Sequence, residues 1–389
     1  MGLGHAAFPH WPGLAAILAP VCCDAKSPRL GSAVFPAKTG GKAAEETPMP
    51  PEAAPAPFPP PAPPQPGEAL PLLPGLWWIR MPLPFAPGHV NLWLLEDGDG
   101  WLAVDAGARG EETQAHWTAI QAATLGGRPI TRLLATHFHP DHVGFAGWLC
   151  ERHGAALLMP RGEYLTARFL GLDTDEGMTA QQLGFARAAG CPEDYLAFLA
   201  GRGPLYARAV VALPRSYRRI AAGDRLRIGG RDWHVATGGG HAPEMACLHC
   251  PALGVLISAD QILPRISPYI GVSATEPQGD PLSDFLESNE RLKAVPDDVL
   301  VLPSHGEPFR GLHGRIDALA AHHAERLATL EAACATPLTA YEASRVLFPR
   351  VKEDRQLGFA LGETLAHLNR LVAEGRLRRS ESSVPEYSA

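Results

Sequence analysis

Apolar residues gather in short runs along this chain, and their spacing separates strands from helices. Val90-Asn-Leu-Trp-Leu-Leu95 and Trp101-Leu-Ala-Val104 are strand-length and are joined through Asp97-Gly98-Asp99-Gly100, a strong hairpin turn signal. Runs of similar length follow at Arg132–Thr136, Ala155–Met159, Trp233–Ala236, Gly254–Ser258 and Val299–Pro303. Longer segments with helical spacing lie between several of them, and this alternation predicts an α/β fold whose sheets are covered by helices. The stretch 161–222 reads as mostly helical and carries Tyr164, Phe169, Phe185, Tyr195, Phe198, Tyr206 and Tyr217. It is expected to close the core as a helical layer or to stand over a site as a lid or substrate wall. Further on, Leu312, Ile316, Leu319, His323 and Leu327 step by 4, 3, 4 and 4, one face of a helix. Leu361, Leu365, Leu368 and Val372 repeat the pattern until Gly375 stops it. Residues 312–389 are therefore expected to form a small helical domain, with Arg376-Leu-Arg-Arg379 as a short wing strand.

The front of the chain has no such period. Between Pro50 and Pro74 stand 12 prolines in 25 residues, interleaved with alanine, a segment with too few donors and too little apolar bulk to pack. Residues 1–75 are expected to be a disordered or polyproline-like leader, with order beginning near Leu76 and a catalytic domain over 76–311. This concentration holds 12 of the 39 prolines in a 389-residue chain that also has 40 glycines. A net charge of −7 argues against a general nucleic-acid coat or a polybasic membrane binder. The segment Pro337–Ala389, with 8 Lys+Arg against 7 Asp+Glu, is a weak basis for an RNA-binding wing. No apolar run reaches the roughly 18 residues of a membrane helix, so a soluble protein is expected. Leu14–Val21 is bracketed by Pro12 and Pro20 and no Lys or Arg precedes Lys26, which does not describe a secretory signal. The seven cysteines are odd in number and scattered, as expected for reduced thiols in the cytoplasm.

Candidate chemistry enters at Thr136-His137-Phe138-His139-Pro140-Asp141-His142, immediately after a predicted strand. Three histidines and a carboxylate in six positions put several ligand side chains on one loop. Imidazole and carboxylate suit divalent zinc, manganese or iron, and the lack of a thiolate fits a hydrolytic site better than a structural zinc. His241 in Gly238-Gly-Gly-His-Ala-Pro-Glu244, Asp260 after Gly254–Ser258, and His305 after Val299–Ser304 each lie where loops deliver site residues. Singly these are weak signals. Together with the first cluster they make five histidines and two aspartates, enough for two metal ions. Cys247-Leu-His-Cys250 has no second pair, and alternation along a strand would send its sulfurs to opposite faces, so two buried structural cysteines are expected. Tyr217-Arg-Arg219, Arg310 and His89 read as surface or hydrogen-bonded structural residues rather than as site residues.

These motifs carry a resemblance. His137-Phe-His-Pro-Asp-His142 resembles the H-x-H-x-D-H signature of the metallo-β-lactamase-fold hydrolase superfamily. Asp105 in Val104-Asp-Ala-Gly107, His241, Asp260 and His305 match its other blocks in order, over roughly Leu76 to Phe309. The resemblance implies a four-layer αβ/βα sandwich with two divalent metals at one sheet edge. His137, His139 and His241 would bind the first metal, Asp141, His142 and His305 the second, and Asp260 would bridge them. Asp105 would orient the site loop without ligating. The segment Leu312–Arg379 resembles the winged-helix-like tail of the glyoxalase II and β-lactamase-like protein 2 branch.

Two ions ~3.5–4 Å apart can hold a bridging water whose pKa falls to around 7, making hydroxide available to attack a carbonyl or phosphoryl centre. Asp141 could orient that nucleophile or relay its proton. The expected function is a binuclear metallohydrolase, zinc being the first choice of metal, acting on a small ester, thioester or lactone. Alternatives are a metal-dependent endoribonuclease, a mononuclear iron persulfide dioxygenase and an inactive metal-binding interaction protein. Asp260 stands where many true β-lactamases carry cysteine or have no bridging carboxylate, which argues against antibiotic hydrolysis. No cluster of basic and tyrosine residues matches a glutathione clamp. Met49 at the leader's edge is an expected translation start. Mass spectrometry of the native protein checks this, and a peptide from within residues 2–40 would sink the idea.

Overall fold

Strand alternation decides the architecture, because the central strands of both large sheets send successive apolar side chains into two different cores. The computed structural model describes residues 62–389 apart from 174, 175, 204 and 353. The expectations for the first 48 residues, including Met49 as a start and the absence of a signal segment, lie outside the described residues. Among those described, a seven-stranded sheet runs in chain order through β1 (Ala69–Leu73), β2 (Leu76–Pro82), β3 (His89–Asp97), β4 (Gly100–Val104), β5 (Ile130–Leu134), β6 (Ala156–Pro160) and β7 (Arg218–Ile220). A five-stranded sheet contains β8 (Arg225–Ile228), β9 (Arg231–Gly238), β10 (Met245–Cys250), β11 (Val255–Ala259) and β12 (Leu300–Pro303), in the order β12-β11-β10-β9-β8.

The first helices are α1 (Glu111–Ala123), α2 (Pro140–Val143), α3 (Ala146–His153), α4 (Arg161–Leu172), α5 (Glu176–Ala188), α6 (Glu193–Arg202) and α7 (Leu205–Ala209). They are followed by α8 (Pro281–Leu292), α9 (Leu312–Ala333), α10 (Ala340–Leu347) and α11 (Asp354–Ala373). Local chemistry explains several starts. Asp280 caps α8 by accepting from Ser283 N at 3.0 Å ahead of Pro281, and Thr339 with Glu342 forms a reciprocal capping box on α10. A three-stranded sheet of β13 (Leu338–Thr339), β14 (Arg378–Arg379) and β15 (Glu386–Ser388) closes the C-terminal region, with β15 in the middle.

Four layers follow. Trp78, Trp93, Leu95 and Val104 of the first sheet meet Trp233, Leu248, Ile257 and Leu302 of the second in a core between the sheets. The opposite faces, carrying Ile79, Leu92 and Leu94 on one side and Cys247, Leu256 and Val301 on the other, are buried under helices. Trp117, Leu149 and Tyr164 cover the first sheet, and Phe285, Ile316, Leu319 and Leu365 cover the second. The expected α/β sandwich is thus observed, with each fully buried Leu or Ile contributing roughly 1.5–3 kcal/mol to its stability.

Two sequence expectations need adjusting. Order begins before Leu76, because Ala69–Leu73 pairs antiparallel with β2 as an edge strand. Proline density hid it, although Pro71 is tolerated at an edge and Leu70 and Leu72 pack against the core between the sheets. The helical run beginning at Arg161 ends with α7 at Ala209, and α5 and α6 pack Ala186, Tyr195, Leu196 and Leu199 against Val351, Leu357 and Ala360. The one-face helical patterns at 312–327 and 361–372 appear as α9 and α11, and β14 occupies the segment read as a wing strand.

Cys247 and Cys250 lie on opposite faces of β10, one under the helices and one between the sheets. Both are fully buried, and burial pushes the Cys247 thiol up to about 12. A thiol reagent is expected to leave both unmodified in the folded chain and to react with them only on unfolding. Rapid labelling of either in the native chain would contradict this placement.

Candidate metal centre

Every predicted site residue follows the carboxyl end of a strand, and those ends share one edge of the sandwich. In the first sheet β4 and β5 run parallel, so Asp105 and the His137 loop emerge side by side. In the second, β11 runs parallel to β12 and β9 is antiparallel to the intervening β10, so His241, Asp260 and His305 also emerge together. Asp105 and Ala259 have φ of 63° and 49°, turning the chain sharply at two of these exits. Such backbone costs of order 1 kcal/mol and persists because the surroundings fix it.

The imidazoles converge. His139 Nδ1 lies 3.0 Å from His137 Nε2 and 2.9 Å from His241 Nε2. Asp141 Oδ2 lies 3.6 Å from His142 Nε2 and 3.5 Å from His305 Nε2. Asp260 Oδ2 sits between the two groups, at 3.3 Å from His241 Nε2, 3.4 Å from His305 Nε2, 3.5 Å from His142 Nε2 and 4.0 Å from His137 Nε2. All seven predicted ligands are therefore brought together, and three ligand-sized groupings overlap within them.

The outward ring nitrogens explain why the inward ones are free to act as donors. His142 Nδ1 faces Asp105 Oδ2 at 2.9 Å, and Asp105 also accepts from Thr136 N at 2.7 Å and Thr136 Oγ1 at 2.8 Å. With its proton given to Asp105, the Thr136 hydroxyl accepts from His137 Nδ1 at 3.0 Å. His241 Nδ1 donates to the Tyr269 carbonyl at 2.7 Å and His305 Nδ1 to the His89 carbonyl at 2.8 Å. Each bond favours a proton on the outward nitrogen and turns the other ring nitrogen inward, the orientation that metal-ligating histidines require.

Burial opposes charge throughout the cluster, and neighbours then divide it. Burial and the adjacent His241 lower His139 to about 3, and burial with the His142 and His139 rings holds His137 far below its usual value. At His305 the carboxylates of Asp260 and Asp141 overcome burial and raise it to about 10. His142 is likewise raised by Asp141, Asp260 and Asp105 against burial. Among the described residues, buried His142 Nε2 and Asp260 Oδ1 have no hydrogen-bond partner. Nitrogen and oxygen donors, inward lone pairs, unpartnered buried atoms and concentrated carboxylate charge all fit divalent cations. A further grouping, His323, Glu363 and His367 in α9 and α11, contains an ion pair from Arg326 to Glu363, which works against a second cation.

Residues that sequence reading passed over hold the loops. Glu163, at the start of α4, accepts from Phe138 N at 3.0 Å and Glu244 N at 2.5 Å, joining the His137–His142 loop to the His241 loop. Buried Asn91 donates to the carbonyls of Pro303 and Gly306 at 2.9 and 2.8 Å, securing the His305 turn to the other sheet. A polar residue inside the apolar run Val90–Leu95 was the signal for Asn91; none marked Glu163. Gly240 (φ 92°) lets the His241 loop pass α8, since a Cβ there would meet Pro281 O at 2.4 Å. His89 is the hydrogen-bonded residue expected, accepting from Gly306 N at 3.0 Å, and Arg218 and Arg219 are exposed on β7. Of the aromatic residues in 161–222, Tyr206 reaches the site loop, donating to the Phe138 carbonyl at 2.6 Å.

The family model for the metallo-beta-lactamase superfamily matches residues 86–305, more than half of the chain. The chain belongs to that superfamily. A second family model, the metallo-beta-lactamase-like C-terminal domain, matches residues 327–388. A beta-lactamase domain protein from Burkholderia ambifaria shares 42% identity, covers 87% of this chain and 98% of its own, and superposes with a TM-score of 0.79. A metallo-beta-lactamase family protein from Thermus thermophilus shares 29% identity over 81% of this chain and 99% of its own, with a TM-score of 0.70. Among curated superfamily relatives, a hydroxyacylglutathione hydrolase from Pseudomonas paraeruginosa is 32% identical over 34% of this chain and 56% of its own length. A linear primary-alkylsulfatase from a Pseudomonas strain is 26% identical over 56% of this chain and 42% of its own. The chain thus spans about half the length of the curated relatives it matches.

Glu163 offers a pH test of the loop junction. Burial, reinforced by Glu244 and opposed by the two backbone donors, raises its carboxyl to about 7. Between the usual carboxylate range and that value the folded chain holds a proton that the unfolded chain has released, so this contribution to stability falls as pH rises. In denaturant titrations of metal-free protein, wild type is expected to lose stability relative to Glu163→Gln from about pH 5 to about pH 7. A stability difference that stays constant across that window would contradict the assignment.

Proposed function

We propose that the chain is a metal-dependent hydrolase that holds two divalent ions and cleaves a small ester, thioester or lactone. The observation that carries the proposal is Asp260 Oδ2 standing 3.3–4.0 Å from the inward nitrogens of four imidazoles. His137, His139 and His241 would hold one ion, Asp141, His142 and His305 the other, with Asp260 shared. Zinc suits this donor set, and iron or manganese would be accepted by the same atoms. When bound, such a pair lowers the pKa of water to around 7 and polarises a substrate oxygen.

The chain's own groups do the rest. Asp105 holds His142 through Nδ1 and so aims Nε2, while Thr136 does the same for His137. Asp141, more accessible than His142 and His305 beside it, would orient the attacking water and take its proton at a carboxylate oxygen. The Tyr206 hydroxyl steadies the loop at Phe138, whose ring lies beside His139. The named activities of the curated relatives extend the substrate panel to a hydroxyacyl thioester and an alkyl sulfate ester.

Metal analysis and a hydrolysis panel on the same reconstituted sample test the reading. About two equivalents of divalent metal are expected per chain, with activity on at least one ester, thioester or lactone that chelation abolishes. His139→Ala is expected to lower that activity by roughly 100-fold or more, as loss of a ligand to a catalytic metal should. Less than about one equivalent after reconstitution, or a His139→Ala chain as active as wild type, would refute the hydrolase reading.

A further inference from the structure

The loop from Gln261 to Asp280 has no helix or strand, yet it supplies the carbonyl of Tyr269 that fixes His241. Irregular backbone of this length holds a carbonyl in place only if something outside it does the holding. The C-terminal helices provide that hold. From α9, buried Arg315 donates to the carbonyls of Leu263 at 2.5 Å and Ile266 at 2.7 Å. From α11, Gly362 O accepts from Val272 N at 3.0 Å, and Asn369 Nδ2 donates to Pro277 O at 3.2 Å and Gly279 O at 2.9 Å.

Tyr269 itself lies against α11. Its ring meets that of Phe359 edge-on, with centroids 5.2 Å apart. A Cβ at Gly362 would come within 2.2 Å of the Tyr269 hydroxyl and 3.0 Å of Val272 O. Glycine inside a helix costs about 1 kcal/mol relative to alanine, so its presence here goes with the close approach of Tyr269.

We infer that α11, acting through Tyr269, sets the tautomer and orientation of the His241 ring, so that Gly362 and Tyr269 are positioning residues of the metal centre. The inference rests on the metal reading above for its consequence but not for its geometry. The C-terminal helices thereby form the outer wall that keeps one imidazole donor aimed at the ligand cluster.

The test uses the full chain with ring-15N histidine, stripped of metal, with the His241 signals assigned by difference against His241→Gln. In wild type the ring proton is expected on Nδ1. Gly362→Ala is expected to displace Tyr269 and mix the two tautomers. Adding Tyr269→Phe, which removes the hydroxyl that the new methyl would meet, should restore most of the Nδ1–H form. In zinc titrations against a chromophoric chelator, Gly362→Ala should weaken one of two dissociation constants by ~10–100-fold, the range for loss of a group that orients a ligand, and leave the other unchanged. The double variant should recover most of that loss. If Gly362→Ala keeps His241 on Nδ1, or if the double variant is as impaired as the single, the inference is overturned. If wild type binds no zinc while the tautomer responds as described, the metal reading fails and the positioning role stands. Should Gly362→Ala not fold, Phe359→Ala, which alters an exposed side chain, gives the same readouts. A smaller shift of the same sign supports the inference, and an unchanged tautomer overturns it.

Discussion

The imidazole and carboxylate groups gathered at one edge of the sandwich satisfy one another only in part: among the described residues, buried His142 Nε2 and Asp260 Oδ1 have no hydrogen-bond partner. Three histidine nitrogens stand within 3.0 Å along the chain of contacts from His137 through His139 to His241, and the other ring nitrogens of His137 and His241 are held by Thr136 and the Tyr269 carbonyl. Buried polar atoms left without a partner cost free energy unless a cation joins them. Much else in the molecule serves this convergence. Asp105 and Ala259 adopt left-handed backbone at strand exits, and polar side chains are buried where apolar ones would pack more readily.

Neither sheet holds the site alone. The first contributes Asp105 and the His137–His142 loop, the second His241, Asp260 and His305, and polar bridges keep the halves in register. Ala246 N donates to Thr136 O at 3.0 Å, and Asn91 joins β3 to the turn before His305. Glu163 adds a third bridge from the covering helices. Because the core between the sheets is close-packed, a shift of one sheet against the other would be felt in the distances among the candidate ligands.

Helices beyond the sandwich belong to the same support. Apolar burial docks α9 and α11 on the second sheet, and Arg315, Gly362 and Asn369 then bind the loop that leads from Asp260 to α8. Packing on one side of the molecule is thereby connected to a ring orientation on the other side of the loop, through rigid elements and hydrogen bonds.

Much of this was legible in the chain itself. Strand positions followed from the period of apolar residues, and the seven candidate ligands from residue type and their place after those strands, since both depend on near neighbours in sequence. The edge strand Ala69–Leu73 was hidden by proline, because pairing at an edge relaxes the rule that makes proline a breaker. Glu163 and Tyr269 were not legible, and Asn91 was marked only as a polar residue in an apolar run, without its partner. Each acts on a residue far along the chain through a hydrogen bond, Asn91 on Pro303 across 212 positions, and no local pattern records such a pairing. What the sequence alone determined was the inventory of strands, helices and donor atoms. Tertiary structure alone decided which nitrogen of each ring faces inward and which loops hold it there, because those depend on directions in space that side-chain periodicity does not encode.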